Sequence, residues 1–276
     1  MAGRSRKRLL PDWIGEKYTR KIETEDTSKC SHETRVQVPN ASAGQTTDST
    51  RKTAKAQLIK CSMSEKHELT ASEIISSSME FLHFKGSIIY SFNSADCTLL
   101  CEDILSMLPC AAHGEKMHVG FDVEWPVTFK KGSTESKVAL IQMCISTDKC
   151  YLFHLSPMQK LPCALKTLIF HDNIIKCGIN IEADFWKLGR DFGISVVDVI
   201  HKSVKDLGKL ANAKLKSAER WSLDGLTRNV LRKKLDKNTD IRCGNWDNYP
   251  LSEDQKQYAA DDVYACLLLA NHLMQG

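Results

Sequence analysis

The chain has 276 residues, 42% hydrophobic and 26% charged, with a formal net charge of +4. That is enough apolar material for one large domain or two small ones; there is no run of about 18 apolar residues to cross a bilayer and no signal-peptide core, so no membrane partner is expected. The eleven cysteines are scattered without a CxxC pair, which speaks against a zinc ribbon or a thioredoxin-type site and for reduced, intracellular core thiols.

Residues 1–78 are rich in Ser, Thr, Lys and Glu, poor in aromatics and without sustained period, so a disordered basic arm is expected there. Its RSRKR cluster reads as a nuclear import signal, which makes the expected location nuclear. The folded region is placed at 79–276. FLHFKGSIIYSF (81–92) predicts a strand or hairpin edge, followed by a helix capped by Asp96 and ending near Pro109. MHVGFDVEW, KVALIQMCIS and KCYLFHLS are three further strands, the first two joined across a polar loop holding Lys130, Lys131 and Gly132, as in a hairpin. Beyond residue 158 the pattern alternates in α/β order: a helix from Gln159 to Phe170, the strand IIKCGI, a helix from Glu182 to Gly193 and a short strand SVVDVI. A basic stretch, 201–250, precedes an acidic final segment; that order suits phosphates gripped beside a cation site, although charge alone reads first as a solvated surface. Helices open at Ser222 and at Ser252, where Ser252 and Gln255 form a capping box.

Chemistry concentrates in three segments. In FDVEW the apolar Val119, Phe121 and Val123 alternate with Gly120, Asp122 and Glu124, so a strand points both carboxylates to one face. Two acids side by side on an interior strand need a cation, and Gly120 on their face is expected to leave space for a ligand. In NIEADFWKL, Asp184 falls in the first turn of a helix, where by itself it reads first as a carboxylate favoured by the helix dipole. In YAADDVY, Tyr258 and Asp262 are one turn apart on a stripe with Ala265 and Leu269, whereas Asp261 turns toward solvent. Clustered carboxylates of this kind are the hard-oxygen donors that Mg2+ or Mn2+ requires. Trp125 and Trp186 adjoin the acids and are candidates both for contact with a nucleotide and for core packing. Lys130, Lys131, Arg220, Arg242 and Trp246 are candidates for a nucleic-acid track combining phosphate charge with stacking.

FDVEW, IEADFWKL and YAADDVY together resemble the three motifs of the DEDDy subfamily of 3′–5′ exonucleases, in the DnaQ-like part of the ribonuclease H superfamily. GFDVEWP, KVALIQ, KCYLFHLS, WSLDGL and IRCGNWDNYPLSEDQKQYAADD are further similar, in order and spacing, to Werner-type exonucleases. The resemblance covers roughly residues 80–276. It implies an α/β, ribonuclease H-like fold, a mixed sheet flanked by helices with Asp122 and Glu124 on its central strand. It also implies Asp122, Glu124, Asp184 and Asp262 as ligands of two Mg2+ or Mn2+ ions about 3.5–4 Å apart, with Tyr258 as the signature tyrosine that orients the attacking water. The implied activity is release of nucleoside 5′-monophosphates from DNA 3′ ends, favouring duplexes with a recessed 3′ end, in repair and replication. A GxxxxGK[ST] phosphate loop is missing, so a stand-alone form without its own helicase is expected, leaving unwinding to a RecQ-type helicase in trans. An RNA 3′ exonuclease of the ribonuclease D type would share every ligand, and a catalytically silent nucleic-acid-binding protein is the alternative from another class.

Overall fold

The computed structural model describes residues 77–109, 115–127, 132 and 134–274. The expected disordered arm, all but its last two residues, and Lys130 and Lys131 lie outside them. The described residues form six strands in one mixed sheet. In chain order the strands are β1 (Ser87–Ser91), β2 (Met117–Glu124), β3 (Leu140–Cys144), β4 (Lys149–His154), β5 (Ile174–Gly178) and β6 (Val204–Asp206). Their spatial order is β1-β4-β3-β2-β5-β6. Strand β3 runs antiparallel to both neighbours and every other pairing is parallel. The C-terminal ends of β1, β2, β4, β5 and β6 therefore share one edge, where ligand sites of open α/β sheets lie.

Nine α-helices lie among the described residues: α1 (Ser94–Ser106), α2 (Leu155–Met158), α3 (Cys163–Ile169), α4 (Ile181–Phe192), α5 (Val197–Ser203), α6 (Leu207–Leu215), α7 (Leu223–Leu226), α8 (Thr239–Arg242) and α9 (Glu253–Met274); α7 runs on into a π-helical turn, Thr227–Leu231. The two faces of the sheet are covered separately. Val119, Phe121 and Val123 of β2 pack with Ile104, Leu165, Leu168, Phe185 and Leu188 from α1, α3 and α4. Helix α9 covers the opposite face, against Ile175 and Cys177 of β5, Cys144 of β3 and Cys150 and Leu152 of β4. Each Val, Leu, Ile or Phe side chain among them, fully removed from water, contributes about 1.5–3 kcal/mol.

The expected mixed sheet with β2 at its centre and helices on both faces is observed. The capping box is present as well: Gln255 N–H donates to Ser252 Oγ at 3.2 Å and Ser252 N–H donates to Gln255 Oε1 at 3.2 Å. The strand expected within 81–92 is present as β1, at the edge of the sheet and parallel to β4 rather than in a hairpin. Three local expectations change. The cap of α1 is Asn93, whose extended backbone lets its side chain accept from Asp96 N–H, and Asp96 sits inside the first turn. The helix expected from Gln159 begins only at Cys163, after Pro162, because the chain first makes the short α2 and turns at Gln159 with φ 58°. SVVDVI is not a strand: Val196, Val199 and Ser203 are buried and Val197 and Asp198 exposed, a helical period hidden by β-branched residues.

Candidate metal centre and active site

Gly120 decides how α9 meets the sheet. A Cβ on Gly120 would lie 1.8 Å from the Val263 carbonyl oxygen and 3.0 Å from Leu267 N. The missing side chain makes room for the α9 backbone rather than for a ligand, correcting the expectation, and α9 settles directly on β2. The next two β2 residues on that face are Asp122 and Glu124, and the α9 residue beside the contact is Asp262. Oxygen atoms of Asp122, Glu124 and Asp262 consequently lie within 4.8 Å of one another. Asp122 Oδ1 also accepts from Val123 N–H at 2.9 Å.

Asp184 stands outside that group of three. It is buried in the first turn of α4, which leaves the same sheet edge after β5. Close approach of β5 to β2 again depends on a glycine: a Cβ on Gly178 would lie 2.7 Å from the Phe121 carbonyl oxygen. Helix α4 ends at Gly193, φ 65°, whose N–H returns to the Gly189 carbonyl.

The field of the carboxylates registers on their neighbours. Burial, then the charges of Asp262, Glu124 and Asp122, push the Tyr258 phenol well above its ordinary range, with only Arg242 opposing them. Beside uncompensated carboxylates Tyr258 thus keeps its proton, which favours a hydrogen-bond donor over a general base. The fully buried Cys266 thiol, one turn beyond Asp262, is pushed up by burial and then by Asp122 and Asp262. On β3, Gln142 stands in register opposite Asp122; it is buried, and neither of its amide atoms has a hydrogen-bond partner. Crowded like charges of hard oxygen, with an uncommitted buried amide beside them, fit a divalent cation.

The nucleic-acid candidates divide. Trp186, beside Asp184, is 47% exposed. Trp125 is half-buried, with Lys187 Nζ 4.8 Å from its ring centroid. Arg220 is exposed and Arg242 half-buried at the end of α8. Trp246 is fully buried; its Nε1 donates to the Arg242 carbonyl and its ring lies 6.2 Å from that of Tyr258. It cannot stack on a base and instead backs the tyrosine. Asp261 also corrects the expectation. It is 5% exposed, held by Phe84 N–H at 2.6 Å, Gln257 Nε2 at 2.8 Å and His83 Nδ1 at 3.0 Å, because the 80–84 strap crosses α9 at that point.

Besides Gln142, Lys187 escaped sequence reasoning. Lys187 Nζ, buried on α4, donates to the Ser136 carbonyl at 2.7 Å and pairs with Asp191 at 3.0 Å; Asp191 in turn accepts from Val138 N–H. The pair fixes the chain leading into β3 beside Trp125. Its one local signal was the i,i+4 spacing of Lys187 and Asp191.

A family model described as 3′-5′ exonuclease matches residues 97–275. The mouse protein "Bifunctional 3'-5' exonuclease/ATP-dependent helicase WRN" is 47% identical over 214 residues, 78% of this chain and 14% of that protein. A Drosophila mojavensis "3'-5' exonuclease" is 32% identical over 239 residues, 87% of this chain and 70% of that protein. The chain thus spans about one seventh of the mouse protein's length. Among solved structures, the Aedes aegypti Nibbler EXO domain has a TM-score of 0.57 at 21% identity, covering 70% of this chain and 91% of that one, a likeness of fold.

Proposed function

The chain belongs to the 3′-5′ exonuclease family, and from that premise we propose that it removes nucleoside 5′-monophosphates from DNA 3′ ends, favouring duplexes with a recessed 3′ end. The observation that carries the chemistry is the convergence of Asp122, Glu124 and Asp262 within 4.8 Å where α9 rests on Gly120. These three, with Asp184 at the same edge, would hold the divalent cations, Mg2+ or Mn2+. When bound, such ions activate water and neutralise charge on the phosphodiester.

The chain's own residues do the rest. Tyr258 keeps its proton and donates it as a hydrogen bond toward the reacting oxygen atoms, backed by the Trp246 ring. Trp186 presents an exposed ring beside Asp184 for the terminal nucleotide, and Arg220 and Arg242 offer guanidinium groups to phosphates. DNA as substrate is what the Werner-type resemblance implies, and the 47% identity to the mouse protein over this region supports the exonuclease activity itself. A role in genome maintenance in the nucleus, with RSRKR as import signal and a RecQ-type helicase opening the duplex in trans, extends the same reading.

The test is hydrolysis of end-labelled DNA and RNA with recessed, blunt and overhanging 3′ ends. Activity should vanish in EDTA, return with Mn2+ or Mg2+, and fall with salt by about one power of concentration per phosphate neutralised. Full activity in chelator would exclude the metal mechanism. Efficient digestion of single-stranded RNA with poor digestion of recessed DNA would replace DNA by RNA as the substrate.

A further inference from the structure

A groove of about 660 Å3 is lined among others by Ser136, Lys137, Ser156, Gln159 and Tyr249, and none of the four carboxylates lines it. It belongs to the same sheet edge. Glu124, at the end of β2, accepts from Ala139 N–H, and Ala139 accepts from Leu155 N–H at the end of β4. Two strand spacings, about 10 Å, separate those strand ends, or roughly three stacked nucleotides at about 3.4 Å each.

The groove has a built wall. Tyr249 is 55% exposed, and behind it stand Phe92, with ring centroids 4.9 Å apart, and His154, at 6.4 Å. His154 is fixed in turn by Tyr90 Oη at 2.6 Å and the Trp246 carbonyl at 2.9 Å. An exposed aromatic face held by other rings at a nuclease's substrate edge is a stacking platform. Across the groove Lys137 is exposed, in the segment that Lys187 and Asp191 hold in place. The carboxylate in the lining, Asp247, accepts from Ser156 Oγ at 2.5 Å, so it is occupied within the wall.

We infer that this groove is a subsite for the scissile strand, in which a base within the first three nucleotides 5′ of the scissile bond stacks on Tyr249 while Lys137 meets the adjoining phosphate. The inference rests on the exonuclease reading above and adds a site for the part of the substrate that is not cleaved.

Two substrates separate its parts. Thymidine 5′-(4-nitrophenyl phosphate) presents one nucleotide, with nitrophenol in place of the upstream strand; a twelve-residue single-stranded oligodeoxynucleotide presents both. Tyr249→Ala should raise KM for the oligonucleotide at least fivefold, with kcat held, leave the nitrophenyl ester unaffected, and be rescued by Tyr249→Phe. Lys137→Ala should raise KM and reduce the salt slope by about one. Equal losses on both substrates would make Tyr249 merely structural, and no loss on either would empty the groove of nucleic acid; both overturn the subsite. If the wild-type chain hydrolyses neither substrate, the exonuclease reading falls, and anisotropy with the labelled oligonucleotide in EDTA decides the groove: Tyr249-dependent affinity supports it, and equal affinity of Tyr249→Ala and wild type overturns it.

Discussion

Gly120→Ala tests the packing that assembles the site. The new Cβ would sit 1.8 Å from the Val263 carbonyl oxygen, whereas ordinary contact begins near 3.4 Å, so α9 must retreat by about 1.6 Å. The obstacle is helix backbone and no side-chain rotation relieves it. Overfilling of this kind costs about 1–3 kcal/mol; at roughly 2–4 °C per kcal/mol for a domain of this size, the melting temperature should fall by about 2–12 °C. Asp262 travels with α9, away from Asp122 and Glu124. A misplacement near 1 Å costs about a hundredfold in rate, so turnover on labelled DNA should fall by at least two orders of magnitude, with weaker Mn2+ binding in a calorimetric titration. The two readings of Gly120 separate cleanly. A glycine that cleared space for a ligand would, on substitution, raise KM and leave the melting temperature alone; that result, or wild-type behaviour throughout, would refute the packing argument.

Three other perturbations have expected outcomes. Tyr258→Phe should lower turnover and leave Mn2+ affinity nearly unchanged, whereas Asp262→Ala should abolish both; equal loss of metal binding in the two variants would show that the phenol is misassigned. Trp246→Ala should destabilise by about 3–5 kcal/mol in urea melts, while Trp186→Ala should stay within about 0.5 kcal/mol and raise KM; comparable melts for the two would contradict their different burial. Burial lowers the Lys176 ammonium from 10.5 to about 7, although its Nζ donates to Ser203 Oγ at 2.6 Å. Between those values the folded chain holds a neutral amine and the unfolded chain a charged one, so unfolding takes up a proton and stability should rise from pH 7 toward pH 10.5. Lys176→Met should flatten that rise, and an unchanged slope would mean that another group causes it.

What the amino-acid order determined by itself were features set by local geometry. Alternation in FDVEW places Asp122 and Glu124 on one face because successive strand residues point to opposite sides. The four-residue step from Tyr258 to Asp262 places them one turn apart on any helix. Caps such as Ser252 with Gln255 are legible for the same reason, since their partners lie within one turn. Tertiary structure decided what depends on a distant covering element. Gly120 is open or filled according to whether α9 lies over it, and Asp261 is solvated or buried according to whether the 80–84 strap crosses it. Trp246 is a stacking surface or a core residue according to where Tyr258 and Arg242 settle. SVVDVI deceived because β-branched residues favour strands while burial on one helical face outweighed that preference. The meeting of Asp122 with Asp262 belongs to the same class: each segment carries its carboxylate, but only the absence of one Cβ lets a helix backbone come close enough to a strand for the charges to share a site.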